Sequence, residues 1–273
     1  MTASRRPSGR QRLGQHFLKN QSISKKIAEA VPAPAGSLIV EIGPGRGALS
    51  LPLLERGFNL LAIEADPILA RDLAARLLDR PARVVLGDAL ETDFENVLSE
   101  AGVTGPVALA SNLPYESATP MIRKFVRHPE WFSSLTVMIQ KEVADRLLAP
   151  PAGEAYGYLT LDVSSHAVVT KLFDVGPKNF DPPPKVMSTV LSLTPRIPDE
   201  GTDAALLVAS LGFAHRRKKL INGLESRWDR EEIRTALSAV GIPEGLRAEV
   251  LSWQNFLSLA RALGPAGAPE PGC

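Results

Sequence analysis

The feature that most limits what this chain can fold into is an apolar run, Leu38-Ile39-Val40-Glu41-Ile42, that leads directly into Gly43-Pro44-Gly45-Arg46-Gly47. The run does not alternate, so it predicts a strand covered on both faces, as in a parallel sheet. Residues 48–56 then follow a helical pattern, and the strand–loop–helix unit repeats. Residues 59–63 form a second strand ending at Glu64; residues 67–78 form a helix with Pro67 in its first turn. A third strand, 83–86, closes at Gly87-Asp88, and a helix near 94–101 leads to a fourth strand, 107–110, ending in Asn112-Leu113-Pro114-Tyr115. A helix over 117–127 and a fifth strand over 135–140 continue the alternation, followed by helices near 142–148 and 157–169. Two late strands, 171–175 and 188–193, lie too close for a crossover helix and are expected to be antiparallel. The pattern is that of an α/β fold: an open, doubly wound, mostly parallel sheet of seven strands.

With 273 residues the chain can hold one large domain and a small second one. The expected division is a basic, disordered arm over 1–12, a catalytic domain over 13–196, a small helical domain over 197–263 and a disordered Pro/Gly/Ala-rich tail over 264–273. The net charge of +1 excludes a polycation, so any nucleic-acid footprint must be local. The only cysteine, Cys273, leaves no intrachain disulfide and no Cys-based metal site. No apolar run approaches membrane-spanning length, which makes a cytoplasmic enzyme the expectation.

Gly43-Pro44-Gly45-Arg46-Gly47-Ala48 satisfies a dinucleotide-binding pattern, and Glu64 stands where an acid would bind ribose hydroxyls. Three details favour S-adenosylmethionine over a dinucleotide. Pro44 removes a backbone N–H that a pyrophosphate would use. Glu41 would repel a pyrophosphate but tolerate a sulfonium ligand that also carries an ammonium. Asp88 can accept from an adenine amine. The opposing reading is that Glu41 and Asp88 are solvated loop acids.

Asn112-Leu113-Pro114-Tyr115 suits chemistry on the amino group of a flat heterocycle. The exocyclic nitrogen of adenine is a poor nucleophile because its lone pair is delocalised into the ring. The Asn112 oxygen and a backbone carbonyl, with Pro114 holding Leu113 extended, would accept its two hydrogens and return electron density to nitrogen. Tyr115 would stack on the base. A plain strand-end turn is the alternative.

Gln15-His16-Phe17-Leu18, Glu41-Ile42-Gly43-Pro44-Gly45, Glu64, Gly87-Asp88-Ala89, Asn112-Leu113-Pro114-Tyr115, Gln140-Lys141-Glu142-Val143 and Phe180-Asp181-Pro182-Pro183-Pro184-Lys185-Val186 occur in this order. In this the chain closely resembles the ribosomal RNA adenine dimethyltransferases, specifically the bacterial small-subunit group, from about residue 13 to residue 263. The resemblance implies a class I (Rossmann-like) S-adenosylmethionine-dependent methyltransferase with a C-terminal helical domain. It implies transfer of two methyls to N6 of each of two adjacent adenosines near the 3′ end of 16S rRNA, by a monomer acting on the immature 30S subunit. Cofactor contacts would fall on His16, Leu18, Gly43, Gly45, Glu64, Asp88, Ala89 and Asn112. The catalytic set would be Asn112, Leu113, Pro114, Tyr115 and Phe180, with Tyr115 and Phe180 sandwiching the base. No metal is implied. The chain departs from the family pattern at His16, where many relatives have Asn, and at Glu116-Ser117-Ala118, where Asn-Ile-Ser is common.

For RNA, Arg216, Arg217, Lys218 and Lys219 place four positive groups within about one turn, and Arg123, Lys124 and Arg127 follow the catalytic loop. A solvated helix face is the other reading of both clusters. Three rivals to the assignment stand: a large-subunit adenine methyltransferase of the macrolide-resistance kind, a non-catalytic RNA-binding or assembly factor, and, more distantly, a nicotinamide dehydrogenase. The triple-proline segment and the helical domain favour the small-subunit enzyme.

Overall fold

A computed structural model describes residues 16–215 and 218–265. The expected arm over 1–12, Gln15, Arg216, Arg217 and the tail from residue 266 lie outside the described residues. Strand β1 (Phe17–Leu18) precedes α1 (Gln21–Glu29), which starts where the Asn20 side chain accepts the Ser22 N–H. Strand β2 (Leu38–Ile42), α2 (Ser50–Glu55), β3 (Asn59–Glu64) and α3 (Pro67–Arg76) follow. Asp66 caps α3 by accepting from Ile68 and Leu69. Then come β4 (Ala82–Leu86), α4 (Phe94–Glu100), β5 (Val107–Asn112), α5 (Ala118–Val126), β6 (Phe132–Gln140) and α6 (Lys141–Leu148). After α7 (Tyr158–Ser164) the chain forms β7 (Ala167–Val175), β8 (Phe180–Asp181) and β9 (Ser188–Pro195).

Seven strands form one sheet in the order β4-β3-β2-β5-β6-β9-β7. From β4 to β6 the neighbours are parallel, and β9 runs antiparallel to β6. The chain direction of travel across the sheet reverses between β2 and β5. That is the position where an open α/β sheet leaves a crevice beyond its strand ends. A separate two-stranded ribbon pairs β1 with β8, Leu18 opposite Phe180, which the sequence pattern did not announce.

The described residues divide into two compact units: residues 16–141 with 171–193, and residues 142–170 with 194–215 and 218–265. This differs from a single cut after residue 196. Residues 142–170 belong with the helical part, because Tyr156 and Leu161 share its core and the Tyr156 hydroxyl donates to the Leu251 carbonyl at 2.7 Å. The second unit is completed by α8 (Thr202–Ala214), α9 (Leu220–Leu224), α10 (Arg230–Ala239) and α11 (Trp253–Leu263). Its core includes Leu206, Val208, Ile221, Leu224, Ile233, Leu237, Phe256 and Leu259. The helix expected over 157–169 stops at Ser164. Ser165 Oγ donates to the Asp162 carbonyl, and the β-branched run Val168-Val169-Thr170 favours the strand that follows.

In the first unit, Ile39, Leu60, Ala62, Ala108, Ala110 and Met138 from the sheet pack with Ile27, Leu53 and Leu73 from the helices. Each large aliphatic side chain buried in this way contributes about 1.5–3 kcal/mol. Phe94, Phe125 and Phe132 form a second packed group, with ring centroids 5.2–5.4 Å apart in edge-to-face contacts.

Candidate active site at the sheet edge

Beyond the ends of β2, β3 and β5 lies a crevice of about 770 Å³, including space open to solvent. Its walls include His16, Phe17, Leu18, the glycine loop, Glu64 and Asn112 to Tyr115. The loop can take this course because Gly43 and Gly45 have φ of +60° and +56°. A Cβ on Gly45 would lie 3.1 Å from the Phe17 ring, so glycine is also what lets β1 close over the loop.

Glu64 is buried and aimed by two backbone donors: Gly45 N–H to Oε2 at 2.9 Å and Asp66 N–H to Oε1 at 3.0 Å. A carboxylate has about four acceptor positions, so two remain for hydroxyls. Glu41 is buried as well, and Ser50 Oγ donates to it at 2.6 Å. Burial pushes its pKa up to about 8, against the Ser50 hydrogen bond, with the Glu64 charge adding to the rise. The solvated-acid reading is therefore wrong for Glu41. Glu41 also repels a pyrophosphate less than a charged acid would, since at neutral pH its carboxyl holds its proton until a cation approaches.

Ser111 Oγ donates to the Ile42 carbonyl at 2.6 Å, tying the end of β5 to the end of β2. The Leu113 N–H donates to Met138, and Pro114 lies 3.6 Å from where a Gly43 Cβ would stand, so the Asn-Leu-Pro-Tyr segment is seated against the glycine loop. Asn112 Oδ1 is buried with no hydrogen-bond partner. An unpaired buried amide oxygen costs about 1–3 kcal/mol, and here it belongs to a side chain lining the crevice. The Tyr115 hydroxyl is hydrogen-bonded to Ser188 Oγ at 3.0 Å, and its half-buried ring meets the His16 ring at 5.6 Å between centroids. Burial raises the Tyr115 pKa, against the Ser188 hydrogen bond. His16 Nδ1 donates to the Pro182 carbonyl at 2.7 Å, since a carbonyl can only accept. The imidazole thus ties the crevice to the triple-proline segment, a role Asn at this position would fill differently.

The crevice brings together His16, Leu18, Gly43, Gly45, Glu64, Asn112, Leu113, Pro114 and Tyr115. It does not include Phe180. That ring is fully buried in the core, because pairing Phe180 with Leu18 in the small ribbon turns it inward. The expected two-sided sandwich is replaced by Tyr115 and His16 in tilted contact. Asp88 and Ala89 lie at the end of β4 outside this lining; Asp88 is exposed and caps the Leu90 N–H, and Ala89 is buried.

Lys124 is not an outward phosphate hook. Its ammonium donates to the carbonyls of Ala89 (3.2 Å), Leu90 (2.7 Å) and Thr92 (3.2 Å), which uses all three of its protons. Arg127 is exposed and Arg123 partly so. Lys218 and Lys219 are exposed, but they lie in the connection between α8 and α9 rather than on a helix face. Residue reading missed Ser50, Ser111 and Ser188. Ser50 lies nine residues beyond Glu41, at the start of the helix after the glycine loop, and that position was its only signal; nothing local marked the other two.

The donor set fits S-adenosylmethionine. Glu64 has acceptors for ribose hydroxyls, the glycine loop allows close approach, and Glu41 would gain its charge beside an ammonium. Comparison with known proteins agrees. Residues 6–264 match the family described as ribosomal RNA adenine dimethylase. The chain is 39% identical over 266 residues to the ribosomal RNA small subunit methyltransferase A of Geobacter sulfurreducens, covering 94% of this chain and 96% of that protein. Among solved structures, a dimethyladenosine transferase from Plasmodium falciparum is similar with a TM-score of 0.73 at 26% identity, over 89% of this chain and 96% of that one. The 23S rRNA methyltransferase ErmE gives a TM-score of 0.69 at 22% identity, over 90% and 99%, and shows the shared fold alone.

Proposed function

This chain belongs to the ribosomal RNA adenine dimethylase family, and we propose that its substrate is the 16S RNA of the immature 30S subunit, on which it acts as a monomer in the cytoplasm. It is an S-adenosylmethionine-dependent ribosomal RNA adenine methyltransferase. The targets are two adjacent adenosines near the 3′ end, each carried to N6,N6-dimethyladenosine. The small-subunit assignment is supported by the 39% identity to the Geobacter small-subunit methyltransferase over 94% of this chain and 96% of that protein.

The observation that carries the chemistry is the unpaired Asn112 Oδ1 in the crevice wall. When bound, S-adenosylmethionine supplies a methyl carbon made electrophilic by its sulfonium. Glu64 would hold its ribose hydroxyls and Glu41 would face its ammonium, and Asp88, exposed at the end of β4, would accept from its adenine amine. A target adenine leaves its stack to enter, with its ring against Tyr115 at about 1–3 kcal/mol per stacking contact. Asn112 Oδ1 accepts one amine hydrogen and the Leu113 carbonyl the other. The nitrogen becomes pyramidal and its lone pair localises, so positioning does most of the work. The alkylated amine is acidic and loses its proton to water, which the open crevice admits. A monomethylated amine keeps one hydrogen for Asn112, which permits the second transfer.

The test offers labelled S-adenosylmethionine and unmethylated small subunits, then digests the RNA and maps the label. Labelled N6,N6-dimethyladenosine at an adjacent pair near the 3′ end is expected. Label confined to large-subunit RNA in a parallel reaction would move the assignment to the rival enzyme.

A further inference from the structure

We infer that a basic cavity beside the glycine loop holds phosphodiester groups of the RNA strand whose base enters the crevice, which rests on the ribosomal RNA reading above. This second cavity, of about 630 Å³ including space open to solvent, is lined by Lys19, Lys25, Arg46, Arg76 and Glu55, with Gln21 and Ser24 among its neutral polar groups. Four cations against one carboxylate is a marked local excess in a chain whose net charge is only +1. All four cationic residues are exposed, so the charge reaches solvent.

The cavity shares Leu18, Arg46 and Ala48 with the crevice, so the two have a common wall. Arg46 stands on that wall with its guanidinium 4.5 Å from the centre of the Phe17 ring. Stacking on a ring face leaves the in-plane N–H fork directed sideways, the geometry that binds phosphate in bidentate fashion. Arg76 spends one nitrogen on the Arg46 carbonyl at 2.6 Å, which fixes it beside the loop. Lys25 and Glu55 form an ion pair at 3.5 Å with both side chains more than half exposed, a weak contact that a phosphate can replace.

A neutral apolar ligand could cover Leu51 and Pro52 but would leave the four cationic groups without a counter-charge. An acidic protein surface could match the charge. RNA matches both the charge and the place, since a strand that delivers a base to the crevice must carry its phosphates past the crevice rim.

The experiment measures binding of protein-free small-subunit RNA over a range of KCl, with S-adenosylhomocysteine binding followed in parallel. One variant is Lys19→Gln with Lys25→Gln; Arg46 is kept because it also lines the crevice, and Arg76 because it holds the loop. Each single-strand phosphate contact contributes roughly 0.7 to the logarithmic salt slope. The double variant is expected to lose about tenfold in RNA affinity at low salt and to flatten the slope by roughly one or more. Glu55→Gln acts in the opposite sense, strengthening RNA binding by roughly threefold, and carries the test if the double variant fails to bind S-adenosylhomocysteine. An unchanged slope in a double variant that still binds S-adenosylhomocysteine would overturn the inference. So would weaker binding to intact subunits with unchanged binding to protein-free RNA, which would assign the cavity to an acidic protein. Methyl transfer to adenine by the unaltered protein separates the two levels: a flat response with transfer intact removes the cavity alone, and no transfer removes the functional reading with it.

Discussion

Near the crevice, the first unit buries Glu41, Glu64 and Ser111 and leaves Asn112 Oδ1 unpaired, whereas the main core of the second unit is built from side chains such as Leu206, Val208, Ile221, Ile233 and Leu259, with Trp228 Nε1 the side-chain polar atom left unpaired there among the described residues. Buried carboxyls and an unpaired amide oxygen raise the free energy of the ligand-free fold. Aliphatic burial lowers it. The strand ends of the first unit therefore give up stability to keep polar groups available for ligands, while the apolar core of the helical unit spends its side chains on cohesion. Substitutions at the crevice should change chemistry and pH response more than cohesion, and substitutions in the helical core the reverse.

The largest effect should come from Asn112→Ala, with methyl transfer falling by about 10³-fold, the scale seen when one preorganised polar group is removed from a reacting centre. S-adenosylhomocysteine should still bind, though more weakly. Near-normal turnover in a labelled-methyl assay would remove Asn112 from the reacting centre.

Next in size is the pH response of Glu41. Its carboxyl keeps a proton up to about pH 8 in the fold but loses it near the ordinary value of 4.5 when unfolded. Between these values the folded state binds the extra proton, so stability falls as pH rises through that window. Glu41→Gln should abolish this slope, a gain on the order of 4 kcal/mol at pH 8 relative to pH 4. Denaturant unfolding of the ligand-free protein at several pH values reads it, and parallel pH curves for the two proteins would contradict it.

In the helical unit, Gly223→Ala would place a Cβ 2.4 Å from the Leu211 carbonyl oxygen, a backbone atom that cannot rotate away. A loss of roughly 2–3 kcal/mol in urea unfolding is expected, with cofactor affinity of the folded fraction unchanged. A shift in cofactor affinity with unchanged stability would contradict a purely cohesive role for this core.

Lys124→Met, in the first unit, should have the smallest effect. Releasing the three carbonyls of the Asp88 loop should weaken S-adenosylhomocysteine binding about tenfold, or roughly 1.4 kcal/mol, while the RNA salt slope stays constant. A flattened slope with normal S-adenosylhomocysteine binding would return Lys124 to the RNA footprint.

What could be read from residues alone follows from how local the physics is. The strand–loop–helix units were legible because their apolar runs, the proline that opens α3 and the glycine loop lie within a few residues of one another. The ribbon of Phe17–Leu18 with Phe180–Asp181 was not, because two-residue strands have no period and their pairing spans more than 160 residues. The same long-range pairing buried Phe180, which the family resemblance had placed against the base. Lys124 looked like a phosphate ligand because only its neighbours in α5 are visible in sequence, and the carbonyls it serves lie more than thirty residues earlier. Glu41 was recognised as a ligand-facing acid, but its raised pKa depends on complete burial, which no local pattern reports.

The most direct measurement is a crystal structure of the protein with S-adenosylhomocysteine and a short single-stranded RNA carrying the adjacent adenosines. One adenine is expected against Tyr115, with its amine hydrogen-bonded to Asn112 Oδ1 and the Leu113 carbonyl. An Asn112 side chain bonded only to protein, with the base held elsewhere, would contradict it.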